Sequence, residues 1–246
     1  MKLLALDTAT ETMAIAVSHG GAQWTLNSPG GAAASLHLIP EALRLLAEAG
    51  LSVAALDAVA FGQGPGAFTG LRTAVSVAQG LAFGADKPLL PIDSLLLVAE
   101  DARLQAEQAG SALADSVFWV AMDARMDEIY AAAYRQAAGT WQVVQAPALY
   151  TLEALLARWQ DLPPAHVAGS ALAAFGDRLG LAPALPCWPD AQDRAGALLR
   201  LASAAWQHGA TVTVDEALPV YLRDKVALTT AEREAAKAAK ALDAAP

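Results

Sequence analysis

The chain has 246 residues, with 16 Lys and Arg against 25 Asp and Glu for a net charge of −9, 55% hydrophobic residues and 17% charged ones. That hydrophobic content excludes a disordered chain, and the length suits one large domain or two small ones, burying roughly 70–75% of the extended surface. The acidic balance argues against a protein that grips a phosphate backbone on its own, because such affinity comes from clustered Lys and Arg. The single cysteine, Cys187, can form no internal disulfide and has no CxxC companion for zinc, which fits a reducing compartment. The apolar stretch after Lys2 ends at Asp7, too short for a signal peptide, and no run approaches the roughly 18–20 apolar residues of a membrane span. A cytoplasmic protein without membrane contact is expected.

In chain order, residues 3–17 read as a strand, a polar turn from Asp7 to Thr12 and a returning strand. A turn-rich stretch follows (Asn27, Ser28, Pro29, Gly30, Gly31), after which Ser35 is expected to cap a helix running to Ala49, with Pro40 kinking it early. Leu56–Phe61 predicts a short strand, and GQGPGAFTG (Gly62 to Gly70) a glycine-rich turn into a helix over about 69–83. Another strand ends near Asp93, and a helix over 94–113 links to the second half. There the order repeats: strand Phe118–Met122, polar turn DARMDE, strand Ile129–Tyr134, then His166–Ala168 entering Gly169 and a helix. Asp123 takes the place of Asp7 and Gly169 that of Gly62, which predicts two similar α/β lobes. A helix over 195–207, a strand-like Thr211–Val214 and an Ala/Glu/Lys tail complete the chain.

Tandem lobes of this kind, a hairpin followed by βα units, describe the actin, sugar-kinase and Hsp70 (ASKHA) architecture, with mixed sheets and flanking helices. The expected division is 1–103 for the first lobe, 104–228 for the second and 229–246 for the tail.

Several patterns carry more than one chemistry. In GPGAFTG, Gly64 and Gly66 around Pro65 let backbone amides converge at a helix N-terminus with Thr69 as its cap, a cradle for phosphate or simply a tight strand-to-helix turn. No Gly-Lys-Ser/Thr follows, so it is not a Walker A loop. Asp7 either orients a metal-bound water or accepts backbone hydrogen bonds within its Thr-rich turn. His19, His37, His166 and His208 form no HExxH or HxxxH pair, which speaks against a metal site, and no nucleophile elbow is present. Helix 35–49 carries Leu36, Ile39, Leu43 and Leu46 on one stripe and Leu38, Ala42, Leu45 and Ala49 on another. So wide an apolar face needs two burial partners. The next helix has one charge, Arg72, among small residues. Either their own domain buries both helices, or they form a subunit interface. In the tail, Thr229 and Glu232 suit a capping box and Arg233, Lys237 and Lys240 a basic stripe, for solvent or for a partner.

LALDTAT near the start, His37 before Pro40, GPGAFTGLR with the following Ala78 and Gly80–Phe83, DARMDEIY and the late PVYLR together resemble the TsaB (YeaZ) family over nearly the whole chain. The resemblance implies a non-catalytic subunit, similar in fold to the catalytic protein TsaD. With TsaD and the ATPase TsaE, such a subunit serves synthesis of N6-threonylcarbamoyladenosine beside the anticodon of tRNAs reading codons that begin with A. TsaD is expected to carry an HxxxH metal pair after the strand following its GPG helix, where this chain has Pro91–Leu96 without histidine. The resemblance further implies a TsaD interface built from helices 35–49 and 69–84, with Leu36, Ile39, Leu43, Leu46, Phe68, Arg72, Val75 and Ala78 as its residues. The same surface serves a homodimer, tRNA is met only through the complex, and ATP or ADP only within it. A residual nucleotide contact would fall on Asp7, Gly64, Gly66 and Gly169. The alternative is a stand-alone ATP-dependent small-molecule kinase or hydrolase using those four residues.

Overall fold

β1 (Leu3–Asp7) is buried along its whole length, which is why it reads as an unbroken apolar run: a strand covered on both faces has no solvent side to mark with polar residues. Leu4 and Leu6 face one core while Leu3 and Ala5 face another. The computed structural model describes residues 1–111, 115–137 and 139–223, except the side chain of Ala32. The tail expected over 229–246, with its capping box and basic stripe, lies outside the described residues.

In the first sheet β1 pairs antiparallel with β2 (Thr12–His19) and parallel with β4 (Ala58–Gly64), while β3 (Ala22–Pro29) and β5 (Leu89–Asp93) form its edges, in the order β3-β2-β1-β4-β5. The second sheet joins β6 (Val117–Asp123), β7 (Glu128–Ala137), β8 (Thr140–Thr151), β9 (His166–Ala168) and β10 (Cys187–Trp188) in the order β10-β9-β6-β7-β8. Counted from its far end this is the same arrangement, antiparallel hairpins on one side of the lead strand and parallel strands on the other. The duplicated ASKHA-type α/β architecture is therefore present in the connectivity itself.

One face of the first sheet packs under α1 (Ala34–Glu48) and α2 (Phe68–Ala85), through Leu38, Ala42, Leu45 and Leu46 of the one and Val75, Ala78 and Ala82 of the other. Its second face is covered by α6 (Arg194–Gln207), whose Ala195, Leu198, Leu199 and Ala202 meet Leu3, Ala5, Ala14 and Ala16. Alanines on the strands let that helix approach closely. α3 (Ser94–Gln108) turns Leu95, Val98, Ala99 and Ala102 to Phe118, Val120 and Tyr134 of the second sheet, while Leu97 faces the first. α4 (Leu152–Asp161) and α5 (Ala171–Phe175) close the remaining face of that sheet over Trp119 and Ile129.

Several expectations need correction. The stretch read as a turn at Asn27–Pro29 is the end of edge strand β3, where Pro is tolerated because its missing N–H faces no neighbour. β8 and α4 were not anticipated. α1 starts at Ala34 without a side-chain cap, so Ser35 lies inside its first turn, and the helix continues through Pro40 to Glu48. Ala67, not Thr69, is the N-cap of α2. Residues 211–214 contribute one bridge, Val212 to Leu89, rather than a strand. As for the lobes, residues 103 and 104 both lie within α3, the helix that links them, and α6 packs back on the first sheet.

His166 stacks on Phe118 at a ring separation of 5.7 Å beside Trp188, and its Nδ1 is buried without a partner. Burial pushes its pKa below the ordinary 6.5. A depressed histidine contributes stability above the unfolded value that is lost as pH falls toward the folded one. Urea midpoints are accordingly expected to drop between pH 7.5 and 5.5, and to drop less in His166→Phe; equal pH dependence in both proteins would refute the assignment.

Candidate functional site

Two features stand out, a cleft between the lobes and an apolar face on α1 and α2. The cleft has a volume of about 560 Å³ and is walled by the β1–β2 turn, the GPG turn, α3, the β6–β7 turn and the segment 220–223. Of the four residues expected at a nucleotide, Gly66 and Gly169 line it, whereas Asp7 and Gly64 do not.

Asp7 lies under the cleft floor, fully buried. Its Oδ1 accepts from the Arg194 guanidinium at 2.9 Å and from the Ala9 amide at 3.2 Å, and its Oδ2 accepts from the Ser94 hydroxyl at 2.9 Å. Ser94 Oγ in turn accepts from the Gly64 amide at 3.1 Å. The carboxylate is engaged on both oxygens by protein groups, and Arg194 brings the counter-charge that a metal ion would otherwise supply. Neither Arg194 nor Ser94 was anticipated; the only sequence signal was an arginine at the start of an Ala/Leu-rich helix.

The glycines of GQGPGAFTG serve close packing. A Cβ on Gly62 would stand 1.8 Å from Asp7 Oδ2, and one on Gly70 would stand 1.9 Å from the Thr8 carbonyl oxygen. The Ala67 amide donates to Ala9 O at 2.8 Å and Thr8 Oγ1 donates to Gly70 O at 2.6 Å, so the turn clasps the β1–β2 turn. This supports the tight-turn alternative: the amides of Gly64 and Ala67 are spent inside the protein. Gly70→Ala is expected to lose about 2–3 kcal/mol in urea denaturation, because backbone rather than a flexible side chain must yield. A loss below about 0.5 kcal/mol would show that the contact relaxes freely.

In the second lobe the Gly169 amide donates to Trp188 O at 2.8 Å, and Asp123 Oδ1 accepts from the Arg125 amide at 2.8 Å. Arg125, Met126 and Asp127 all adopt left-handed backbone, with φ of 63°, 58° and 60°. Three such non-glycine residues in succession are costly, and surrounding contacts must hold them. At Pro91–Leu96, where TsaD is expected to carry histidines, Asp93 caps α3 and accepts from Tyr134 Oη at 2.6 Å. Burial raises the Asp93 carboxyl above its ordinary value despite that bond. Among the described residues no three of His, Cys, Asp or Glu stand where they would share a metal ion, and no helix is long and apolar enough to cross a membrane.

The helix face divides the eight residues expected at an interface. Leu36 (72% exposed), Ile39 (43%) and Leu43 (46%) form an outward apolar stripe on α1. Leu46, Val75 and Ala78 belong instead to the core of their own lobe, where α1 and α2 turn toward the first sheet. Phe68 is half-buried, and the Arg72 guanidinium lies 3.8 Å above its ring. Phe83, which the sequence reading passed over, is 78% exposed on α2 beyond Ser76 and Gly80. Open space above Gly80 and Gly84 gives this face a flat strip of small residues.

Comparison with known proteins bears on both features. Residues 31–186 match the family model described as "TsaD: tRNA N6-adenosine threonylcarbamoyltransferase". The chain is 32% identical over 245 residues to the tRNA threonylcarbamoyladenosine biosynthesis protein TsaB of Escherichia coli, covering 92% of this chain and 96% of that one. To the protein of the same name from Haemophilus influenzae it is 41% identical over 130 residues, 53% of this chain and 52% of that one. A solved structure of YeaZ from Pseudomonas aeruginosa superposes with a TM-score of 0.78 at 35% identity, over 90% of this chain and 99% of that one. With the duplicated sheets and near-complete coverage, these matches establish that the chain belongs to the TsaB (YeaZ) family, within the wider domain family it shares with TsaD.

Proposed function

We propose that the chain acts in tRNA threonylcarbamoyladenosine biosynthesis as a non-catalytic scaffold that dimerises with TsaD and, with TsaE, supports threonylcarbamoyl transfer to tRNAs reading codons that begin with A. The observation that carries this reading is the outward stripe of Leu36, Ile39 and Leu43 beside the small-residue strip of α2. Contiguous exposed apolar side chains on a soluble protein mark a surface that another chain covers. By binding one conformation of TsaD preferentially, such a scaffold shifts its partner's population toward the competent state. The same face serves a homodimer when the chain is alone, so self-association and TsaD binding compete. The protein is cytoplasmic, meets tRNA only through the complex, and encounters ATP or ADP only there.

Light-scattering chromatography of the chain alone and with TsaD from the same organism tests the reading. A stable mixed species is expected; separate, unshifted peaks in the presence of nucleotide would overturn it. The stand-alone kinase or hydrolase alternative draws on the interlobe cleft, but Asp7 is fully buried, does not line that cleft, and has both carboxylate oxygens engaged by Arg194 and Ser94. Micromolar binding of ATP-Mg by the isolated chain in isothermal titration would restore the alternative.

A further inference from the structure

The segment after the short helical turn at 214–216 does not end the fold; it crosses between the lobes. Ala217 is fully buried in the first lobe, where its carbonyl and that of Val214 accept from Gln79 Nε2 at 2.9 and 3.2 Å. Three residues on, the Val220 amide donates to Gln63 O at 2.7 Å, at the end of β4 beside the GPG turn. Tyr221 then packs its ring 5.3 Å from that of Phe68 and accepts at Oη from Arg72 Nε at 2.9 Å, both on the first turns of α2. Finally Arg223 reaches the second lobe, donating to Ala124 O at 3.0 Å and pairing with Glu128. These are the two ends of the strained β6–β7 turn. The segment thus touches both lobes, and residues 220–223 form one wall of the cleft that α3 and Arg194 of α6 also line.

We propose that residues 217–223 form a clasp that sets the width of the interlobe cleft, holds the β6–β7 turn in its left-handed conformation and ties both to the N-terminal end of α2. The carbonyl of Ala124 and the carboxylate of Glu128 flank the three left-handed residues, so Arg223 bridges the turn across its base. The middle of the clasp is fixed by Arg72, an exposed residue of α2. Whatever takes the Arg72 guanidinium away from Tyr221 therefore loosens the contact between lobes. Only the biological use of that link rests on the partner reading; the clasp itself needs no partner.

The test uses the full chain with spin labels at Gln23→Cys in β3 and Glu153→Cys in α4, in a Cys187→Ser background, and reads the distance between lobes. The parent is expected to give one narrow distribution, which Arg223→Ala and Arg72→Ala each broaden about twofold. Hydrogen exchange in Arg223→Ala is expected to speed up about tenfold at the Ala124 and Glu128 amides, with α4 unchanged. Should Arg223→Ala fail to fold, Glu128→Gln severs the same pair with a nearly isosteric side chain and is held to the same criteria. Unchanged widths in the folded variants would overturn the clasp. Faster exchange at the turn without broadening would reduce Arg223 to a local support and equally overturn it.

Discussion

Leu43→Asp is expected to weaken association with TsaD, and self-association, by at least about 100-fold, near 2.7 kcal/mol, while the chain stays folded. Leu43 is 46% exposed and sits between Ile39 and the Glu41–Arg44–Glu48 ion pairs of α1, so a carboxylate there meets water in the free protein and is stranded only when a partner covers it. Leu46→Asp makes the necessary contrast. That side chain is 1% exposed within the first-lobe core, so its replacement is expected to cost at least about 4 kcal/mol of stability. Circular dichroism and binding measured together separate the two: lost affinity with native stability at position 43, lost stability at position 46. Retained affinity in Leu43→Asp would remove α1 from the interface.

Asp7→Ala is expected to destabilise the protein by about 3–5 kcal/mol, since it leaves the Arg194 guanidinium buried without its charge partner. Both side chains are below 5% exposed, so water cannot take over. The double variant Asp7→Leu/Arg194→Met is expected to recover most of the loss, because a hydrophobic pair of similar volume often matches a buried ion pair. Urea denaturation of the three proteins provides the numbers. If Asp7→Ala kept full stability but lost affinity for ATP-Mg, the carboxylate would be a ligand-binding group, and the kinase or hydrolase alternative would return.

How much of this was legible follows from where each residue lies. The central strands and the GPG turn were readable because they are buried on both sides and their punctuation is local. β3 and β8 were missed for the opposite reason: both are outer strands whose exposed residues break the apolar pattern, and β3 ends in Asn-Ser-Pro, a combination typical of turns. α4 did leave a signal, a Thr151 cap followed by Leu152, Leu155, Leu156 and Trp159 at helical spacing. For α1 the sequence showed two apolar stripes but not which one faces the sheet, so Leu46 was allotted outward together with Leu43. The Asp7–Arg194 pair joins residues 187 positions apart, a contact that no local pattern in one sequence reveals.

The return of α6 to the first sheet makes the order of synthesis matter. Until residues 194–207 leave the ribosome, Leu3, Ala5, Ala14, Ala16, Leu90 and Ile92 lack most of their cover on that side, which earlier-made α3 supplies only in part through Leu97, although every strand of their own sheet was made about a hundred residues earlier. The first lobe therefore cannot mature ahead of the second, and a nascent chain waits with a largely uncovered apolar sheet face while the second sheet is translated. Fragments ending before Arg194 should accordingly be claimed by chaperones or aggregate, and the two lobes, although duplicated in design, should unfold in a single cooperative step.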